Sequence, residues 1–323
     1  DIGQIPVGWE PYKVGDLVSF SGGAQPDKSV FKFRASDGYV RLIQIRDYKK
    51  DKYATYIPEI LARKVCDEND VMIGRYGPPI FQILRGIKGA YNVALIKATP
   101  SEKLDREYFY HYIKNEKLFS LMDALSRRSS GQTGVELPAL REYPLPLPCK
   151  EEQTAIASAL SDVDALITSL EKLIAKKRAI KTAAMQQLLT GKKRLPPFDQ
   201  NHTGYKQTEL GEIPEDWEVD AIDNVVSITT GGRNTQDKVA DGIYPFYVRS
   251  QTIERINSYS FEGEGVLTAG DGVGTGKIFH YIDGKCDIHQ RVYLMHNFSD
   301  RLHGYYFYIY FKNNFYNKVM SMT

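Results

Sequence analysis

The chain has 323 residues, 42% hydrophobic and 25% charged, with 42 Lys and Arg against 40 Asp and Glu. That balance suits an ordinary globular protein and excludes both a disordered polyelectrolyte and nucleic-acid binding by bulk charge alone. Cys66, Cys149 and Cys286 form no C-x-x-C pair, and no stretch approaches 18 uncharged apolar residues; a disulfide framework, a local zinc knuckle and a membrane span are therefore not expected, and a reducing, cytoplasmic setting fits.

In chain order, the first landmark is Ile2-Gly3-Gln4-Ile5-Pro6 followed by Trp9-Glu10, with no basic start or apolar leader around it. Val18-Ser19-Phe20 then precedes Gly22-Gly23. Runs of β-branched and aromatic residues at 39–45, 71–74 and 92–96, parted by Gly, Asp, Asn and Pro clusters, predict strands. Residues 105–125 predict a helix whose aromatic ladder, Tyr108, Phe109 and Tyr112, reads most simply as core. From 151 to 190 neither Pro nor Gly interrupts the chain, and Ile156, Leu160, Val163, Ile167, Leu170 and Ile174 step by 4, 3, 4, 3 and 4. That is a heptad a/d stripe, which calls for a partner helix. Roughly 40 residues at 1.5 Å each make a rod of about 60 Å, closed by Gly191 and by Pro196-Pro197 beyond it. Residues 151–171 carry five acids and no base, and 172–194 carry eight bases and no acid, a polarity that complements the helix dipole.

Past the rod the chain repeats itself. Leu210-Gly211-Glu212-Ile213-Pro214 followed by Trp217-Glu218 restates the opening 208 residues later and uses both tryptophans; Val226-Ser227-Ile228 precedes Gly231-Gly232, and Tyr39-Val40-Arg41 returns as Tyr247-Val248-Arg249. Tyr108-Phe109-Tyr110-His111-Tyr112 returns 198 residues later as Tyr306-Phe307-Tyr308-Ile309-Tyr310. Strands are predicted at 243–248, 266–269 and 291–295 and a helix at 302–319. The expected architecture is α+β: two homologous, loop-rich domains, residues 1–149 and 209–323, separated by a long coiled-coil-forming helix, 150–195, and a linker, 196–208. Extrapolated, the last match sets Thr323 near Leu125. The second copy is thus expected to be incomplete, without a second long helix, so the rod is expected to pair with another copy's rod or to belong to a truncated form.

Two copies opening G-x-I-P-x-x-W-E with a long helix between them resemble the specificity subunit of Type I restriction-modification enzymes. Ser130-Gly131-Gln132-Thr133-Gly134, Leu137, Pro144-Leu145-Pro146-Leu147-Pro148 and Glu151-Glu152-Gln153-Thr154-Ala155-Ile156-Ala157 are similar to that family's passage from target recognition domain into conserved helix, as is Leu188-Leu189-Thr190-Gly191 at the helix end. The resemblance implies a non-catalytic subunit. Its two recognition domains would each read one half of a bipartite double-stranded DNA target, related by a pseudo-two-fold axis. The long helices would pack as an antiparallel coiled coil that spaces the domains and docks methylation subunits and, through them, restriction subunits. S-adenosylmethionine, ATP and Mg are expected only in those partners.

Reading DNA requires cations for phosphates and loop-borne donors and acceptors for base edges. In the first copy Arg41, Arg46, Lys49, Lys50, Lys52 and Tyr53 form a basic aromatic cluster, joined by Arg75-Tyr76 and by Arg127-Arg128. In the second, Arg233, Asn234, Gln236 and Lys238 follow Gly231-Gly232, with Arg249, Arg255, Lys277, His289, Gln290 and Arg291 as further candidates. The competing reading for each is a solvated charged face or a structural ion pair. A phosphate loop at 270–277 fails because Asp271 and Ile278 stand where Gly and Ser/Thr are needed. Gly77-Pro78-Pro79-Ile80 lacks both functional ends of an amino-methyltransferase motif, and His280, His289, His296 and His303 lack zinc-ligand spacing. A loose nuclease-like pattern, Pro26-Asp27 with Asp47-Tyr48-Lys49, keeps a stand-alone nuclease or methyltransferase as an alternative, and a protein scaffold as another.

Overall fold

The computed structural model describes residues 4–126, 134–200 and 204–320. The chain divides into two units, Asp1–Ile174 and Ala175–Thr323. Among the described residues no helix is long and apolar enough to cross a membrane.

In the first unit two four-stranded sheets stand on a largely aliphatic core. One runs in the order Val18–Gly22, Leu95–Pro100, Val71–Gly74, Gln82–Leu84, with every pair antiparallel. The other runs Thr55–Pro58, Tyr39–Ile43, Gly89–Tyr91, Val65–Cys66, and its middle pair is parallel. The expected strand at 92–96 is instead a turn leading into Leu95–Pro100, because the Asn92 side chain accepts the Ala94 N–H at 3.1 Å. The expected helix at 105–125 is two helices, Arg106–Tyr112 and Glu116–Ser126. Asp105 caps the first by accepting from Glu107 and Tyr108, each at 2.9 Å, and Asn115 starts the second by accepting from Leu118 at 2.8 Å. Phe109, Leu118 and Met122 are wholly buried with Val14, Ile73, Leu140 and Leu145. An apolar cluster of this kind is the main favourable contribution to the unit's stability.

The second unit has a six-stranded sheet ordered Ser227–Thr230, Val292–His296, Phe261–Ala269, Phe279–Ile288, Tyr244–Tyr247, Glu254–Ile256. This is the strand order of the first unit with its two sheets fused, since the single strand Phe279–Ile288 does the work of both Gln82–Leu84 and Gly89–Tyr91. The parallel pair recurs at Phe246↔Asp287 and Tyr247↔Ile288. One strand end explains a glycine in each repeat. A Cβ on Gly23 would lie 2.0 Å from the Asn92 carbonyl oxygen, and a Cβ on Gly231 would lie 1.9 Å from that of Ile288, so only glycine permits the approach. The helix Gly304–Met320 covers the sheet with Phe307 and Phe311, the latter 5.5 Å edge-on to Phe279.

The long helix spans Lys150–Leu188, 39 residues. Its first turns belong to the first unit: Ala157 is buried and Ile156 packs against that core, so Ile156 leaves the free stripe. From there on Leu160, Val163, Ile167, Leu170 and Ile174 are 44%, 53%, 49%, 48% and 51% exposed. The helix closes with Gly191 at φ +70°, a left-handed residue past its end.

Candidate nucleic-acid interface

In the first unit the basic aromatic cluster is the connection from Tyr39–Ile43 to Thr55–Pro58, folded as two short 3-10 turns, Ile45–Tyr48 and Asp51–Tyr53. Arg41 turns inward: its Nη2 lies 2.5 Å from Asp51 and 3.8 Å from Asp47. Asp47 is fully covered and accepts from the Gln44 N–H at 3.0 Å. Burial pushes its carboxyl above the usual range, against the Gln44 hydrogen bond and the Arg41 and Arg46 charges. Arg41 is thereby turned into the fold, closest to Asp51, with Asp47 beside it at 3.8 Å. Outside them, Arg46 and Lys52 flank the exposed Tyr53 ring at 5.9 and 5.5 Å, and Lys49 and Lys50 are exposed. Arg75 stacks on Tyr76 at 5.2 Å. Arg127 and Arg128 lie outside the described residues.

In the second unit four separated segments meet. The loop after Gly231 runs beside the turn after Phe279–Ile288: Arg233 N–H donates to the Ile288 carbonyl at 3.2 Å, and Gln290 N–H donates back to Arg233 at 2.9 Å. This places Gln290 Nε2 2.7 Å from Asn234 Oδ1, both side chains exposed. The Asp271 carboxylate takes Arg249 on one oxygen at 2.5 Å and Arg291 on the other at 3.2 Å. The Arg249 hydrogen bond is the main cause that holds the Asp271 carboxyl below its ordinary range. His289 sits beneath, buried, with Nδ1 accepting from Arg291 N–H at 3.0 Å. Burial, then the charges of Arg249 and Arg291, lower its pKa and keep it neutral. Arg249, Arg291, Asn234 and Gln290 thus form one exposed patch of donors and acceptors, the mix that phosphates and base edges require.

The remaining candidates lie around or under this patch. Arg233 points to the buried Asp287, Nε to Oδ2 at 3.0 Å. Ser258 and Ser260 donate to the same carboxylate at 2.7 Å each. Burial alone would raise the Asp287 pKa, but these donors outweigh it and lower it. Lys238 pairs with Glu254 at 3.0 Å. Arg255 donates to the Gly242 and Ile243 carbonyls at 3.0 Å each. Gln236 and Lys277 are exposed. Sequence reasoning missed Asp271 and Asp287 as organisers of the arginines, although each arginine they hold was singled out. Among the described residues no group of three or more His, Cys, Asp or Glu could hold a metal ion.

A family model described as Type I restriction modification DNA specificity domain matches residues 6–181. The Type I restriction enzyme MjaVIII specificity subunit of Methanocaldococcus jannaschii is 29% identical over 230 residues, which cover 71% of this chain and 51% of that protein. The MjaIX specificity subunit of the same organism is 23% identical over 252 residues, covering 74% of this chain and 56% of that protein. The chain spans about half the length of the curated relatives it matches. The crystal structure of a Type-I restriction-modification system S subunit from M. genitalium superimposes with a TM-score of 0.63 at 14% identity, covering 99% of this chain and 81% of that one, a likeness of fold.

Proposed function

The chain belongs to the family of Type I restriction-modification DNA specificity domains, and from that premise we propose that it is a sequence-reading subunit whose two repeats each dock on one half of a bipartite duplex target. The observation that carries this reading is the patch in which Arg249 and Arg291 share Asp271 beside the Asn234–Gln290 pair. Its cations suit phosphates, while the two amide side chains can present both a donor and an acceptor to a base edge. The exposed Arg46, Lys49, Lys50, Lys52 and Tyr53 are the corresponding bet in the first repeat. Methylation and cleavage fall to partner subunits that carry S-adenosylmethionine, ATP and Mg. The nuclease alternative loses its centre, since Asp47 is a covered structural acceptor.

The long helix is the spacer and the docking rod for methylation subunits. Its apolar stripe from Leu160 to Ile174, about half exposed, supports a helical partner, whether a second copy of the rod or a methylation subunit. The deciding experiment is co-purification with the cognate methylation subunit followed by selection of bound duplexes from a random library. Enrichment of two short half-sites with a fixed gap is expected; assembly without any enriched motif would leave only a docking fragment.

A further inference from the structure

The turn after Phe279–Ile288 and the turn after Gly89–Tyr91 are the same piece of backbone built twice. In the second unit the Val292 N–H closes the turn on the His289 carbonyl at 2.9 Å. Around it His289 N–H donates to the Tyr247 carbonyl at 2.9 Å, Gly270 N–H to Arg291 at 2.9 Å and Arg233 N–H to Ile288 at 3.2 Å. In the first unit the Leu95 N–H closes the turn on the Asn92 carbonyl at 3.0 Å. Asn92 N–H donates to the Ile43 carbonyl at 3.1 Å, Arg75 N–H to Ala94 at 2.8 Å and Ala24 N–H to Tyr91 at 3.1 Å. These four bonds match Asn92-Val93-Ala94-Leu95 to His289-Gln290-Arg291-Val292, residue for residue. The first and last residue of each turn is buried, Asn92 and Leu95 in one, His289 and Val292 in the other.

The second residue of each turn stands out: Val93 is 48% exposed, and Gln290 is exposed. Buried ends and bonds to three neighbouring segments hold each tip in place before any ligand arrives, which is what a selective contact needs. Each tip also has candidate cations beside it, Arg291 and Arg249 in the second unit and Arg75 in the first. What differs is the chemistry of the tip. Gln290 gives one Nε2 hydrogen to Asn234 Oδ1 at 2.7 Å. That bond turns the nitrogen end of the amide toward Asn234 and leaves Oε1 and the second Nε2 hydrogen unengaged among the described residues. One donor beside one acceptor complements the adenine edge, N7 and N6–H, whereas guanine presents two acceptors there. Val93 has no polar side-chain atom, and the apolar feature of the major groove is the thymine C5-methyl group.

We propose that this tip is a specificity-determining position of each repeat: Gln290 reads an adenine by a bidentate contact to N6 and N7, with Asn234 as the positioning residue that fixes its amide, and Val93 packs on a thymine methyl. This inference rests on the DNA-reading proposal and assigns a base to one position in each half-site.

The test is selection of bound duplexes from a random library by the complex of the 323-residue chain with its cognate methylation subunit. Gln290→Val is expected to replace an adenine by a thymine at one position of one half-site, leaving the other half-site and the gap unchanged. Val93→Gln is expected to make the reverse change, thymine to adenine, in the other half-site. Either residue suits the turn, since each already occupies it in one unit. Two modified duplexes test the unaltered chain. 7-Deazaadenine at the assigned adenine, which lacks the N7 acceptor, is expected to weaken binding about tenfold, and uracil at the assigned thymine, which lacks the methyl group, several-fold. Neither modification should weaken the chain whose matching tip has been exchanged. A bipartite motif that both substitutions leave unchanged overturns the assignment while the DNA-reading proposal stands. So does a Gln290→Val complex that binds every duplex more weakly by the same factor. No enriched motif with the unaltered complex overturns both.

Discussion

Asp271 joins Arg249 to Arg291 through its two oxygens, at 2.5 and 3.2 Å, on a face that otherwise offers cations and amides. A carboxylate there repels phosphate while fixing the spread of two guanidiniums. Asp271→Asn is therefore expected to raise affinity for random duplex several-fold at low salt and to reduce the preference for the selected target. Arg291→Ala is expected to lower affinity for all duplexes and to reduce the slope of log affinity against log salt by about one. Anisotropy titrations at several salt concentrations read both. A slope unchanged by Arg291→Ala would remove that residue from the phosphate contacts. Both substitutions should leave thermal stability nearly unchanged, because the ion pairs are exposed.

Asp287 is a different case, with its side chain at 0% exposure and accepting from Arg233, Ser258 and Ser260. Asp287→Ala would strand those donors and leave Arg233 without its counter-charge, at a cost of about 2–4 kcal/mol. The urea midpoint measures this. A loss below about 1 kcal/mol would mean that solvent already satisfies the donors.

These two acids mark the boundary of what the sequence discloses. The recurrence of Trp9 as Trp217 and the heptad from Ile156 to Ile174 are local, periodic patterns, so the repeated architecture and the rod were legible without coordinates. The arginines were singled out too, Arg233 on the loop after Gly231-Gly232 and Arg249 as the repeat of Arg41. Which carboxylate meets which arginine was not legible, because Asp271 reaches Arg249 only after Phe261–Ala269 and Phe279–Ile288 pair across the sheet. Asp271 had counted merely as a residue that spoils a phosphate loop. The break at Asn115 was missed for another reason: apolar periodicity runs through it, and the capping bond to Leu118 decides the matter. The pairing of Glu10–Lys13 with Pro144–Leu147 spans most of a repeat, beyond the reach of any local pattern.

His280 supplies a pH dependence. It is buried, and its Nε2 lies 2.9 Å from the Ser250 carbonyl, a bond the neutral ring makes as donor. Burial lowers its pKa, Lys312 adds to the effect, and the Ser250 bond opposes without reversing it. The folded state thus binds this proton less readily than the unfolded chain. The associated stability is complete above the unfolded value near 6.5 and is lost as pH falls from there through the lower folded value, at up to about 1.4 kcal/mol per pH unit. Unfolding free energy should fall between pH 7.5 and 5.5, and His280→Gln, which keeps an N–H for Ser250, should show a smaller fall. Equal falls in both proteins would assign the dependence elsewhere, to His289 first, whose pKa is also lowered.

The rod makes the most discriminating prediction, because it couples two helices of known pitch. One heptad inserted after Ser169 lengthens the helix Lys150–Leu188 by about 10 Å and turns its end by only about 20°. About 10 Å of duplex is roughly 3 base pairs, or a third of a turn, so the groove needed by the second repeat would face away. Bipartite binding should collapse although each half-site remains readable. Three heptads add about 31 Å with about 60° of lag, close to one duplex turn of about 34–36 Å. Binding should then return, with the same half-sites and a gap longer by about 9 base pairs. Selection from a random library gives both answers, and an unchanged gap in the three-heptad protein would show that the helix does not set the spacing.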